Sequence, residues 1–109
     1  MNRIIRNAAL VAVLAFTSLS ASAWDGPGKV VEIEPANLPT FVIFKLDTTV
    51  GDCPAGNWIY YYGTTYSTDP VKNVAGNYAA LLMALHTGKK VWVYGSTTCM
   101  AVHIHPINQ

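Results

Sequence analysis

Charge is scarce in this chain of 109 residues: only 12% are Asp, Glu, Lys or Arg, and its only arginines are Arg3 and Arg6. The sequence after Arg6 contains five lysines and six acidic residues. A nucleic-acid partner needs a basic stripe that neutralises phosphates, and binding to an anionic lipid surface needs a similar excess of positive charge. The composition therefore argues against both kinds of partner.

Long hydrophobic runs are also scarce, since only one is present, from Ala8 to Leu19. It is too short to span a hydrocarbon core. The two arginines precede it and the small residues Ala21-Ser22-Ala23 follow it, a pattern typical of a secretory signal peptide. We predict that residues 1–23 are a signal peptide and that residues 24–109 form a single secreted or periplasmic bacterial domain without a membrane span.

Cysteine is limited to Cys53 and Cys99, which are 46 residues apart and form no CxxC motif. An even cysteine count in a small secreted domain predicts a disulfide. Two free thiols or a metal-binding pair are the alternatives, and the second lacks the usual ligand spacing. A domain of 109 − 23 = 86 residues buries a modest core, so a disulfide would contribute much of its stability.

Runs rich in β-branched and aromatic residues predict five strands, at residues 30–34, 41–47, 58–62, 91–95 and 100–107. The segment Asp25-Gly26-Pro27-Gly28 before the first run is predicted to be a turn.

Period-two alternation predicts which strand residues share a face. In the second strand the inward set is Val42, Phe44 and Leu46. In the third strand, Trp58, Tyr60 and Tyr62 share one face and Ile59 and Tyr61 the other. In the fifth strand, Met100, Val102 and Ile104 alternate with Ala101, His103 and His105.

The segment Tyr78–Thr87 changes to a helical pattern, because it is rich in Ala, Leu and Met. A stripe formed by Tyr78, Leu81, Leu82 and Leu85 is its predicted buried face. Asn73 or Asn77 could cap its start, and Gly88 occupies the position of a left-handed C-terminal residue. Residues 64–77 are predicted to be a long polar connection.

These elements follow one another in the order β-β-β-α-β-β. That is the order of the OB-fold, a five-stranded, partly open Greek-key barrel whose second and third strands bind oligosaccharides or oligonucleotides. We therefore expect a mainly β domain with one helix, built as an OB-fold barrel.

The segment YAALLMALHTGKKVWVYGSTTC, residues 78–99, has an upstream cysteine, a signal peptide and a short last strand around it. In these features the chain resembles the B subunits of AB5 toxins, above all the subtilase-cytotoxin and pertussis-like B subunits and their stand-alone secreted relatives. The resemblance covers about the last third of the chain and the topology. It implies an OB-fold homopentamer that binds cell-surface glycans, with helices lining a central pore and a toxin A subunit as partner.

A ligand site is predicted on the face of the second and third strands and the loop after them, where the OB-fold presents its groove. Aromatic rings would stack on a sugar and charged groups would bond its hydroxyls. The residues predicted to bind ligand are Lys45, Asp47, Trp58, Tyr60, Tyr62 and Tyr66.

No nucleophile motif surrounds any serine, so we expect a binding module and not an enzyme. The leading hypothesis is glycan recognition. The alternative is an envelope or extracellular protein-interaction or inhibitor module that uses the same aromatic surface without a glycan ligand.

The pair His103-x-His105 puts two imidazoles on the same side of a strand, with His86 as a conceivable third metal ligand. Two histidines alone do not complete a tetrahedral site. The sequence therefore predicts that both are exposed or half-exposed strand residues without a bound metal, and that the protein has no cofactor.

Overall fold

Residues 23–64 and 67–109 are described by a computed structural model, in which five strands and one helix follow the predicted order β-β-β-α-β-β. A mainly β fold with one helix is thereby confirmed. The predicted signal peptide, apart from Ala23, lies outside the described residues. The elements are β1 Trp24–Glu34, β2 Val42–Leu46, β3 Ile59–Tyr61, α1 Pro70–Thr87, β4 Lys90–Thr97 and β5 Met100–Pro106.

The five strands form one sheet that closes into a ring, with the neighbour order β1-β2-β3-β5-β4. This order differs from the order along the chain, because β5 lies between β3 and β4, and β4 returns to pair with β1. All neighbours are antiparallel except β3 and β5, which are parallel. Within the described residues, no helix is long and apolar enough to cross a membrane.

Strand β1 is longer than predicted, and the expected turn at Asp25–Gly28 is wrong. These residues belong to the strand, and they pair with β4 from Trp24 opposite Gly95 to Lys29 opposite Lys90. Glycine is needed here for close packing: a Cβ at Gly28 would lie 2.7 Å from the Thr48 hydroxyl oxygen. The second half of β1 turns to pair with β2 after a register shift between Val30 and Glu32.

The core follows the predicted alternation closely in β2 and β3. Val42, Phe44 and Leu46 are at most 1% exposed, and Ile59 and Tyr61 also face inward. The predicted disulfide between Cys53 and Cys99 is confirmed, with an S–S distance of 2.08 Å. It joins the loop before β3 to the turn between β4 and β5.

The helix begins two turns earlier than predicted, at Pro70, so the start at Tyr78 and the caps at Asn73 or Asn77 are wrong. Asp69 is the N-cap: its carboxylate accepts a hydrogen bond of 3.2 Å from the Lys72 backbone N–H. Proline next to the cap fits the first helical turn, because its missing N–H is not needed there. The predicted end is confirmed, since Gly88 is left-handed with φ of 72° and donates to the Ala84 carbonyl.

The buried face of α1 also differs from the predicted stripe. Val74, Leu81 and Ala84 are buried, whereas Leu82 and Leu85 are 42% and 40% exposed. The two additional N-terminal turns place Val74 in the core, and this line of contacts fixes the rotation of the helix. The stripe drawn from Tyr78 onward could not include that residue.

Strand β5 breaks its predicted alternation at a bulge. The register shifts between Tyr94 and Gly95 on β4, whose partners on β5 are His103 and Ala101, so Val102 has no partner of its own. Consequently Ala101 and Ile104 are the buried residues of β5. The expected alternation of Met100, Val102 and Ile104 therefore fails at the bulge, where Val102 is not buried, and holds beyond it, where Ile104 is buried between His103 and His105.

Candidate functional site

Three aromatic side chains emerge from β3 and its flanks on the side away from the core. Because Ile59 and Tyr61 point inward, Trp58, Tyr60 and Tyr62 lie on the opposite side, as the alternation predicted. Tyr60 is 36% exposed, while Trp58 and Tyr62 are half-buried. These side chains form the centre of the predicted ligand face.

Phe41, a residue that sequence reasoning did not include in the site, completes this cluster. Its ring centroid lies 4.8 Å from that of Tyr62 and 6.1 Å from that of Tyr60. The separations and tilted planes are typical of favourable aromatic pairs. The signal was available, because Phe41 has the same parity as Lys45 on the second strand. We call Phe41, Trp58, Tyr60 and Tyr62 the aromatic face.

Lys45 places a positively charged ammonium group at the edge of the aromatic face. Its Nζ lies 4.4 Å from the centroid of the Trp58 ring, a cation–π distance, and 3.1 Å from Oε1 of Glu32 on the neighbouring strand. The ion pair is exposed on the glutamate side, so it contributes little stability. Its effect is to hold the ammonium group over the indole, with further N–H donors available for a ligand.

Asp47, another predicted ligand residue, is engaged by β1 and not by the aromatic face. Asp47 lies just beyond the end of β2, where its Oδ1 accepts a 2.8 Å hydrogen bond from the Lys29 backbone N–H. Its own backbone N–H donates to the Lys29 carbonyl at 3.0 Å. Asp47 thus fastens the turn after β2 to β1 and keeps one carboxylate oxygen for other contacts. Tyr66 lies outside the described residues.

A partly buried polar network behind the aromatic face connects β3 to the helix. The Tyr61 hydroxyl donates to Oδ1 of Asn73, and Nδ2 of Asn77 donates to the same hydroxyl at 3.1 Å. Asn77 also donates to the Asn73 carbonyl at 2.9 Å. Burial raises the pKa of Tyr61, so its phenol keeps its proton to a higher pH than an exposed tyrosine does. This network holds β3 and its outward rings in place.

The disulfide supports the same strand at its other end. The Tyr60 backbone N–H donates to the Cys99 carbonyl at 2.9 Å, and Thr98 donates to a carboxylate oxygen of Asp52 at 2.7 Å. Cys99 itself has a positive φ of 58°, an uncommon conformation for a residue with a side chain. The covalent link and these hydrogen bonds tie the β4–β5 turn to the loop that precedes the aromatic face.

A second group of rings lies on the outer side of β4 and β5. Tyr94, Val102, His103 and His105 line an open cavity of about 310 Å³, and we call these four residues the imidazole patch. His103 is exposed and His105 half-exposed, as predicted. His86 lies apart, on the last turn of α1. Within residues 23–64 and 67–109, no three His, Cys, Asp or Glu side chains come together as a metal-binding group.

Comparison of the chain with protein-family models, with curated proteins and with solved structures found no match in any of the three.

Proposed function

We propose that this protein is a secreted or periplasmic, non-enzymatic binding module with an OB-fold, and that it recognises cell-surface glycans through the aromatic face. The fold assignment is supported by the ring of five strands and by the helix between β3 and β4. The export assignment is supported by the disulfide, which persists in oxidising compartments.

The observation that carries the ligand assignment is the combination of clustered rings with a cation at their edge. A sugar presents apolar C–H faces and hydroxyl groups together. Tyr and Trp match this because each has a flat apolar surface and a polar tip. Lys45, held 4.4 Å from the Trp58 ring centroid, adds charge-assisted hydrogen bonds to hydroxyl oxygens.

A glycan array probed with the purified protein tests this function. We expect specific binding that falls at least tenfold in Trp58→Ala and in Tyr60→Ala. Tyr94→Ala is the matched control, because Tyr94 is also a strand tyrosine and is 38% exposed against 36% for Tyr60. Normal melting of all three variants together with unchanged glycan binding in the two aromatic-face variants would refute the proposed site.

An exposed apolar stripe on α1 is available for contact with another subunit. Val71, Leu82 and Leu85 are 53%, 42% and 40% exposed. They fall within about 60° of one another around the helix axis at 3.6 residues per turn. Such a stripe suits subunit contact, so we propose that the module forms a homo-oligomer. The resemblance to AB5 toxin B subunits implies that this oligomer is a pentamer with a toxin A subunit as partner.

The second candidate function is a protein-interaction or inhibitor module that uses the aromatic face, and experiment can distinguish it from glycan recognition. Glycan binding that depends on Trp58 supports recognition of sugars. Failure to bind any glycan, combined with specific capture of one extracellular or envelope protein through the same face, would support the interaction or inhibitor module instead.

A further inference from the structure

The bulge in β5 places two consecutive residues on the outer side of β4 and β5, whereas regular alternation would place only one of them there. Because Val102 has no partner of its own, both Val102 and His103 line the cavity, and His105 follows two residues later on the same side. Tyr94 stands opposite His103 in the register, and Trp92 stands opposite His105. Bulges often re-aim side chains next to functional sites.

The rings of the imidazole patch form a nearly equilateral triangle. The centroids of His103 and His105 are 5.5 Å apart, and each lies 5.7 Å from the centroid of Tyr94. The two imidazole planes are inclined at 73°, so the rings do not stack face to face. Across residues 23–64 and 67–109, no side-chain hydrogen bond engages a nitrogen of either imidazole.

The distance between the ring centroids of His103 and His105 suits two imidazoles that share one metal ion. With a metal–nitrogen distance of about 2.0–2.1 Å, the centroids of two neighbouring imidazole ligands lie roughly 4.5–5.5 Å apart. The observed 5.5 Å is at the upper end of that range. Both rings reach the solvent, so small side-chain rotations can bring two nitrogens onto a common ion without disturbing the core.

We propose that His103 and His105 bind a divalent transition-metal ion, with Cu²⁺ held most tightly, and that water fills the remaining coordination positions. Imidazole is a preferred ligand of copper, zinc and nickel, and affinity among these ions peaks at Cu²⁺. The proposal departs from the prediction of a metal-free pair, which rested on two histidines being too few to complete a tetrahedral site. The structure adds their separation, their unengaged nitrogens and an open cavity.

Titration of untagged, periplasmically produced protein with CuCl₂ tests the site, with MgCl₂ as a control ion. Trp92 provides the signal, because it is the cross-strand partner of His105 and bound Cu²⁺ quenches nearby indole fluorescence. We expect saturable one-to-one quenching at micromolar Cu²⁺. Affinity should fall at least tenfold in His103→Ala and His105→Ala, and the quenching should largely disappear in Trp92→Phe.

His86→Ala is the matched control, since it removes an exposed histidine of α1 that does not line the cavity, and it should leave the affinity unchanged. Tyr94→Phe tests whether the phenol oxygen contributes, with retained affinity assigning the site to the two imidazoles alone. The proposal is overturned if the wild type shows no saturable quenching below 100 µM Cu²⁺, about a hundredfold above a micromolar affinity, or if both histidine variants keep wild-type affinity. Calorimetry of the same variants keeps the outcome independent of fluorescence.

Discussion

The indole of Trp24 lies directly against the backbone of Gly95, its pairing partner on β4. A Cβ at Gly95 would overlap Cε2 and Cζ2 of the Trp24 ring, and the indole N–H donates to the Thr97 carbonyl at 2.7 Å. Trp24 is 8% exposed, so its ring has little room to move away. The absence of a side chain at Gly95 is therefore a packing requirement.

We predict that Gly95→Ala lowers the free energy of unfolding by about 1–3 kcal/mol, the usual cost of overpacking a core. Chemical denaturation of purified protein measures the effect. Gly76→Ala is the control: Gly76 lies inside α1, and an added Cβ would meet nothing within 4 Å. Because alanine favours the helix over glycine, this control should gain about 0.5–1 kcal/mol. Equal stability of the two variants would contradict the packing argument.

Reduction of the Cys53–Cys99 disulfide should destabilise the domain substantially. The bond spans 46 residues, for which the chain-entropy model gives about 4 kcal/mol. Thermal melting with and without a thiol reductant measures the change, and Cys53→Ala/Cys99→Ala should melt at the same temperature as the reduced wild type. Two titratable thiols in the native oxidised protein would contradict the pairing.

Removal of the Tyr61 hydroxyl should weaken the attachment of α1 to β3. Tyr61→Phe removes the hydrogen bonds of the hydroxyl with Asn73 and Asn77, which still bond to each other, and we expect a loss of about 0.5–1.5 kcal/mol in unfolding free energy. Tyr62→Phe is the control on the outer side of the same strand. An equal effect of both substitutions would show that the network contributes nothing specific.

The raised pKa of Tyr61 also predicts a pH dependence. Burial raises this pKa above its ordinary value of 10.0, so the folded protein keeps the phenol proton to higher pH than the unfolded chain does. The associated stability is fully present below about pH 10 and is lost as the pH rises through the folded pKa. Denaturant unfolding between pH 8 and 11 should show this loss in the wild type and a smaller one in Tyr61→Phe.

Self-association through the exposed stripe of α1 is tested by light scattering at micromolar concentration. We expect a pentameric mass for the wild type and a smaller mass for Leu82→Lys, because a lysine at the contact is costly to bury. Met83→Lys is the control, since Met83 is 66% exposed and lies about 100° around the helix from Leu82. A monomeric wild type would contradict the oligomer.

The order of elements, the inward set of β2 and the two faces of β3 could be predicted from the sequence because each depends on local alternation. The beginning of α1 could not be predicted, because Asp69 and Pro70 lie in the polar segment of residues 64–77, although together they form a good N-terminal cap. The β5 bulge was also missed, because which residue lacks a partner depends on pairing with β4.

The candidate site shows the same division between local and long-range information. The faces of Trp58, Tyr60 and Tyr62 follow from period two, whereas the contact of Lys45 with Trp58 depends on how β2 and β3 pair. The engagement of Asp47 with β1 depends on a contact 18 residues away in sequence, which no motif indicates.

Pairing of β1 with β4 has a consequence for a chain that emerges gradually from a ribosome or a translocation pore. Trp24, the first residue of the first strand, finds its partner Gly95 only after 71 further residues have emerged, and β3 must also wait for β5. The ring therefore cannot close on a partial chain. Until the last strand appears, hydrophobic strands and unpaired edges stay accessible to chaperones and proteases, so the time of emergence is the protein's most vulnerable period.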